Sequence, residues 1–204
     1  MLAGGGGTRF GGPKQFVDLC GRSVISRSVA TALRFSDGVV VVLPGDAQWE
    51  WPSAVARAVS GETRSQSTRN GLALVPNDAT VVIVHDAARP LATEAMYRAV
   101  VDAVLDGADA AIPALAMTDT VKRVDGELVV ETVARENLVI VQTPQAFRGV
   151  ALRAAHASGR DDTDDAALVE AMGGRVVTVT GDPHNIKITV PVDLVIAQAL
   201  LELL

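Results

Sequence analysis

Apolar residues follow two rhythms along this chain. Short unbroken runs at Val39–Leu43 and at residues 80–84, 110–113 and 175–179 have strand length and are rich in β-branched residues. That is the pattern of strands buried on both faces. Between them, apolar positions recur at helical spacing over residues 26–35, 66–75, 94–106, 164–172 and 191–204. Thr93 is placed to cap the third of these segments and Gly107 to end it. Gly173-Gly174 stops the fourth, and Pro191 suits the first turn of the last. The alternation predicts an α/β fold over residues 1–204. It would be a single Rossmann-like domain with a mostly parallel twisted sheet and helices on both faces. In such sheets, ligands sit beyond the carboxyl ends of the strands.

One stretch breaks the alternation. Thr120-Val121-Lys122-Arg123-Val124 and Leu128-Val129-Val130-Glu131-Thr132-Val133 flank Asp125-Gly126, a hairpin signal. The pattern fits an ordinary surface hairpin, or an arm over about residues 117–136 that pairs with a second subunit.

Composition narrows the class. Hydrophobic residues make up 49% of the 204 and aromatics 3%, so the core is expected to consist of Ala, Val, Leu and Ile. A net charge of −6 argues against a nucleic-acid partner, although cations focused in one cleft can still hold an anion. No apolar run reaches membrane-spanning length, and the start lacks a signal-peptide pattern, so no membrane partner is expected. The single cysteine, Cys20, leaves no internal disulfide, fits a cytoplasmic location, and reads as packing filler.

The candidate chemistry begins at the start of the chain. Ala3 leads into Gly4-Gly5-Gly6-Gly7-Thr8-Arg9, and Pro13-Lys14-Gln15 follows shortly after. Glycines let backbone N–H groups approach phosphate oxygens, and Arg9 and Lys14 add full positive charge beside that cradle. Together they suit a triphosphate and the charge that develops at a reacting phosphorus. The run matches neither a P-loop nor a dinucleotide fingerprint. Only Met1-Leu2-Ala3 precede it, although such a loop ordinarily follows a strand whose end aims it.

A second segment, Val84-His85-Asp86-Ala87-Ala88-Arg89-Pro90, closes an apolar strand. Asp86 suits a nucleotide-borne Mg²⁺ or a hydroxyl, and Arg89 suits a phosphate. The structural alternative is an Asp86–Arg89 pair that fixes the turn, and His85 reads as packed. Gly61, Glu62 and Ser67 lie around a helix start, where such residues bind a base or ribose, or cap the helix. Lys187, between Ile186 and Ile188, reads either as a cleft residue or as a solvated edge lysine. The acidic run Asp161-Asp162-Thr163-Asp164-Asp165 reads as a helix start, with Thr163 as the cap and Asp164 and Asp165 in the first turn.

Together these segments resemble the 2-C-methyl-D-erythritol 4-phosphate cytidylyltransferases of the non-mevalonate isoprenoid pathway. Asp119-Thr120-Val121-Lys122, Gln142-Thr143-Pro144-Gln145 and Asn185-Ile186-Lys187-Ile188-Thr189 carry the resemblance onward, and it spans Leu2 to about Ala199. It implies that the phosphate of methylerythritol phosphate attacks the α-phosphorus of CTP and pyrophosphate leaves, with Mg²⁺ on the triphosphate. Arg9 and Lys14 would then stabilise the transition state, while Arg135 and Lys187 hold the acceptor phosphate. Asp86, Arg89, Thr120 and Thr163 would shape the acceptor site. Ala3, Gly4, Gly5, Gly6 and Gly7, with Gly61, Glu62 and Ser67, would contact cytidine. The hairpin would become a homodimerisation arm that delivers Arg135 to the partner's site. Ribitol 5-phosphate as acceptor, a sugar 1-phosphate nucleotidyltransferase, and a nucleotide-binding protein without activity are the alternatives.

Overall fold

The Val39–Leu43 run does what its composition requires and forms a strand buried in the middle of a sheet. The computed structural model describes residues 1–50 and 52–203. In chain order its elements are β1 (Asp18–Leu19), β2 (Arg22–Ser23), α1 (Val24–Leu33), β3 (Val39–Leu43), β4 (Val55–Val59), α2 (Arg64–Leu72) and β5 (Val81–Val84). Then come α3 (Glu94–Leu105), β6 (Ala110–Ala116), β7 (Val121–Asp125), β8 (Leu128–Val133), β9 (Val139–Val141) and β10 (Gln145–Arg148). The chain ends with α4 (Gly149–Ala157), α5 (Asp165–Glu170), β11 (Val176–Thr180) and α6 (Pro191–Leu201). The helix expected over 191–204 thus ends earlier, and Leu204 lies outside the described residues.

β3 pairs in parallel with β4, and β6 pairs in parallel with β11. β10 runs antiparallel between β5 and β6, so β5 and β6 share a direction and the sheet is mostly parallel. The short chain start joins the two halves. Leu2 bridges both Val42 and Asp86 in parallel sense. Its N–H donates to His85 O at 2.7 Å, and Ala3 N–H donates to Val42 O at 2.9 Å. The stub before the glycine run therefore occupies a central strand position and aims the loop from the carboxyl end of the sheet.

Side chains alternate between two cores, as the period of two demands. Ile83 faces α1 and α3, with Val39, Val41 and Tyr97. Val82 and Val84 face α2, α4 and α5, with Leu72, Leu152 and Leu168. Helix caps follow the local chemistry: Thr93 accepts from Met96 N–H, and Gly107 ends α3 at φ +107°. Asp164, rather than Thr163, caps α5 by accepting from Ala167 N–H at 2.8 Å. Cys20 is exposed in the β1–β2 turn at φ +52°, so it is not packing filler.

β7 and β8 form the expected hairpin, with Gly126 in the left-handed region at φ +57°. Val124, Leu128, Val129 and Val130 are all more than half exposed on it. Among the described residues, no helix is long and apolar enough to cross a membrane.

Candidate active site

The loop after the stub turns on Gly7, whose φ is +66°. A Cβ there would lie 1.8 Å from Gly12 O, so only glycine closes this turn. Gly7 O accepts from the N–H groups of Phe10, Gly11 and Gly12, which folds the Arg9 segment back on itself. Gln15, 3% exposed, donates from Nε2 to Ala3 O at 3.0 Å and ties the far end of the loop to its root. Gly4 lies against Ser60, where a Cβ would come within 2.3 Å of Ser60 Cβ. That close approach joins the loop to the segment before α2.

These contacts leave a cleft of about 400 Å³ at the carboxyl ends of the strands. Ala3, Gly4, Gly5, Gly6, Gly7, Arg9 and Lys14 line one side. Gly61, Glu62 and Ser67 line another, and Asp86 and Lys187 lie on the floor. Ser67 Oγ accepts from Gly61 N–H at 3.0 Å, and Gln66 Oε1 accepts from Glu62 N–H at 2.9 Å, which shapes the turn into α2. Thr8, Gln15, Thr63, Arg64 and Thr189 also reach the cleft, although the sequence patterns assigned them no role.

The electrostatics fit an anion. Burial lowers the Lys14 ammonium, and the charges of Lys187 and Arg9 lower it further. Four cations, Arg9, Lys14, Arg64 and Lys187, therefore line the cleft against the carboxylates Glu62 and Asp86. Burial alone would raise the Asp86 carboxyl, but the charge and hydrogen bond of Lys187, together with Arg64, hold it below the ordinary carboxylate value. Lys187 Nζ donates to Asp86 Oδ2 at 2.6 Å, so Lys187 is a cleft residue rather than a solvated edge lysine.

Asp86 thus pairs with Lys187 and not with Arg89. Arg89 points away from the cleft lining and donates to Asn185 O at 2.7 Å and Val141 O at 3.4 Å. These carbonyls engage its two Nη atoms, while its buried Nε has no hydrogen-bond partner among the described residues. His85 is packed, as expected, 2% exposed. Its Nε2 donates to Arg89 O at 3.1 Å and its Nδ1 accepts from Thr143 Oγ1 at 2.9 Å. Thr143 Oγ1 in turn accepts from Asp86 N–H at 3.0 Å. This chain sets the backbone from which Asp86 projects.

The structure does not bring Thr120, Arg135 or Thr163 to the cleft lining within one chain. Thr120 and Arg135 lie at the exposed base of the hairpin, where Arg135 donates to Thr118 O. Thr163 is exposed in the loop before α5, and its N–H donates to Asp162 Oδ1 at 2.8 Å. The described residues contain no group of three or more His, Cys, Asp or Glu side chains able to hold a metal. Asp86 and Glu62 are the carboxylates on the cleft, which suits an ion bound mainly by a ligand's phosphates and water.

Comparison with known proteins agrees with this arrangement. Residues 1–203 match the family model described as 2-C-methyl-D-erythritol 4-phosphate cytidylyltransferase. A protein of that name from Rubrobacter xylanophilus is 40% identical, over 98% of this chain and 93% of its own length. Another from Deinococcus radiodurans is 44% identical, over 97% of this chain and 86% of its own. The crystal structure of 2-C-methyl-D-erythritol 4-phosphate cytidylyltransferase from Thermus thermophilus superposes with a TM-score of 0.86 at 35% identity, covering 98% and 96% of the two chains. The chain belongs to the 2-C-methyl-D-erythritol 4-phosphate cytidylyltransferase family.

Proposed function

We propose that this enzyme joins CTP and 2-C-methyl-D-erythritol 4-phosphate to give 4-diphosphocytidyl-2-C-methyl-D-erythritol and pyrophosphate. One observation carries the reading: a glycine cradle, Arg9, Lys14 and Lys187 converge on a single cleft with Asp86. The acceptor's phosphate oxygen forms a bond to the α-phosphorus of CTP, and the bond from that phosphorus to the β-phosphate bridge breaks. The nucleophile is already an anion, so no general base is required, and the burial of His85 outside the cleft lining costs the reaction nothing. Positioning and charge neutralisation supply the catalysis. Arg9 and Lys14 neutralise the triphosphate, and Lys187 holds the acceptor phosphate in line. Asp86 keeps Lys187 in place and orients acceptor hydroxyls. Gly61, Glu62 and Ser67 contact the cytidine. A magnesium ion carried on CTP would be held by its phosphates with Asp86, and would withdraw charge from them.

Arg135, Thr120 and Thr163 belong to the acceptor side of this reading. The exposed apolar face of the β7–β8 arm supports a homodimer in which the arm carries Arg135 to the partner's cleft. A pyrophosphate-release assay tests the function. Turnover is expected with CTP and methylerythritol phosphate, and far less with ribitol 5-phosphate. CTP binding without turnover of either acceptor would overturn the reading.

A further inference from the structure

Asp165 is the one residue of the acidic run that is fully buried. Its Oδ2 accepts from Arg64 Nη1 at 2.6 Å, and its Oδ1 accepts from His156 Nε2 at 2.9 Å. Arg64 opens α2 and lines the cleft, so a cleft residue is clamped from behind by a carboxylate 101 positions away. The clamp has company. Asp162 N–H donates to Ser65 Oγ at 3.2 Å, and Ser65 Oγ reaches Asp162 O at 3.5 Å. Arg69 donates to Arg160 O at 3.0 Å and pairs with Asp161 at 3.1 Å. The loop from Arg160 to Asp165 is therefore laced to one helix, α2, at successive points.

The two partners are not equally dependent on this lacing. α2 is fixed to the sheet by other contacts. Gly71 lies so close to β3 that a Cβ would come within 2.7 Å of Val42 Cγ2, and Asn70 Nδ2 donates to Val59 O at 2.9 Å. Leu72 is buried in the core beneath it. The loop's residues, by contrast, are mostly exposed up to Asp165. Cutting the lacing would release the loop and leave α2 in place.

We propose that Arg64 and Asp165 form a positioning latch that sets the Thr163 loop at a fixed distance from the nucleotide side of the cleft, and so governs recognition of the acceptor rather than of CTP. The inference rests on the proposed reading of Thr163 as an acceptor-side residue. Arg64 and Asp165 act through the loop and are positioning residues. His156 holds the second oxygen of Asp165 and keeps the carboxylate turned toward Arg64.

The test measures acceptor KM, kcat and the CTP dissociation constant for Asp165→Asn, Arg64→Lys, Arg64→Ala and the double variant Ser65→Ala/Arg69→Gln. Arg64→Ala breaks the pair without touching the buried carboxylate, so its acceptor KM and loop exchange decide the matter if Asp165→Asn fails to fold, and the double variant measures what the neighbouring contacts add. The expected result for Asp165→Asn, which leaves the Arg64 charge in place, is an acceptor KM raised fivefold or more with CTP affinity within twofold of wild type. Arg64→Lys should recover part of the acceptor loss in Arg64→Ala. Hydrogen exchange at residues 160–164 should quicken in each variant, and less in Arg64→Lys than in Arg64→Ala, a readout that needs no turnover. Unchanged acceptor KM and exchange in Arg64→Ala, or equal losses for CTP and acceptor in Asp165→Asn, would overturn the latch. Failure of the wild-type protein to use methylerythritol phosphate would instead overturn the functional reading beneath it.

Discussion

Lys187 Nζ reaches Asp86 Oδ2 at 2.6 Å, joining the segment before α6 to the end of β5 across 101 positions. The pair does two things at once. It keeps an ammonium inside a cleft that also holds Lys14, and it leaves that ammonium within reach of an incoming phosphate. Lys187 is 44% exposed but Asp86 only 15%, so the pair is not screened like a surface ion pair and serves the fold as well as the ligand.

Lys187→Gln should therefore lower the rate, and it should also cost stability, because a mostly buried carboxylate loses its counter-charge. Loss of one preorganised charge contact typically costs on the order of 10²–10³ in kcat. Steady-state kinetics should show a loss of that order, and a thermal melt a lowered Tm. A rate within fivefold of wild type would remove Lys187 from the chemistry.

How much of this is legible in the sequence depends on whether a residue's partner lies nearby along the chain. Val39–Leu43 announces itself, because an apolar β-branched run has little else to do. Val55–Val59 does not, because Arg57 interrupts it and only Val55 and Ala58 are buried. β10 escapes because it opens on Gln145, a fully buried polar residue. α4 escapes because an Ala-rich helix starting at Gly149 shows a weak apolar stripe. In the cleft, the glycine run, Lys14 and Asp86 are legible from local chemistry. The Arg64–Asp165 pair is not, because an acidic run reads as a helix start until the fold supplies a distant arginine. The stub before Gly4 looks too short to anchor a loop, yet neighbours on both sides give it strand geometry.

The shared-site reading of the arm has a genetic test. Lys14→Ala and Arg135→Ala chains should each be nearly inactive alone. Lys14→Ala should reduce kcat more than it weakens CTP binding, because its charge is needed most in the transition state. In verified mixed dimers one of the two sites regains both groups, so about half of the wild-type activity per dimer is expected. No recovery would show that each site is built from one chain.

His85 predicts a pH dependence of stability. Burial drives its imidazole down to about 3, with Asp86 opposing and the charge and carbonyl of Arg89 acting on it as well. The unfolded chain binds a proton near the ordinary histidine value, while the folded chain resists it until about pH 3. Between those values the unfolded state holds more protons, so stability rises with pH, by up to about 1.4 kcal/mol per unit. The contribution is complete above roughly pH 6.5 and is lost as pH falls toward the folded value. Urea melts from pH 4 to 7 should show a shallower slope for His85→Gln than for wild type, since the lowered Asp86 and Asp165 carboxyls act in both proteins. Equal slopes would mean that His85 takes up its proton without cost in the fold.

The stub leads to the last prediction. Met1 pairs with β3 by accepting from Val42 N–H and donating to Val40 O, both at 2.9 Å. In a parallel ladder alternate residues face the same neighbour, so Val40 N–H points along the line that continues back from Met1. On the other side Leu2 pairs with His85, so Ile83 faces that same line. Between β3 and β5 there, a cavity of about 650 Å³ opens toward both cores, with Phe35 and Tyr97 on one face and Leu72 and Leu152 on the other. Its largely apolar lining on both faces suits an extended apolar segment. Adding four residues of the type Val-Ile-Val-Val before Met1 should fill both faces and continue both ladders. Each buried aliphatic side chain gains roughly 1.5–3 kcal/mol, and each ladder bond about 1 kcal/mol. Ordering the backbone costs roughly 1–2 kcal/mol per residue, so the net is favourable. At about 2–4 °C per kcal/mol for a chain of this size, Tm should rise by several degrees. A Gly-Ser-Gly-Ser extension of equal length should give no gain. Equal melting temperatures for the two extensions would show that the cavity does not accept a strand.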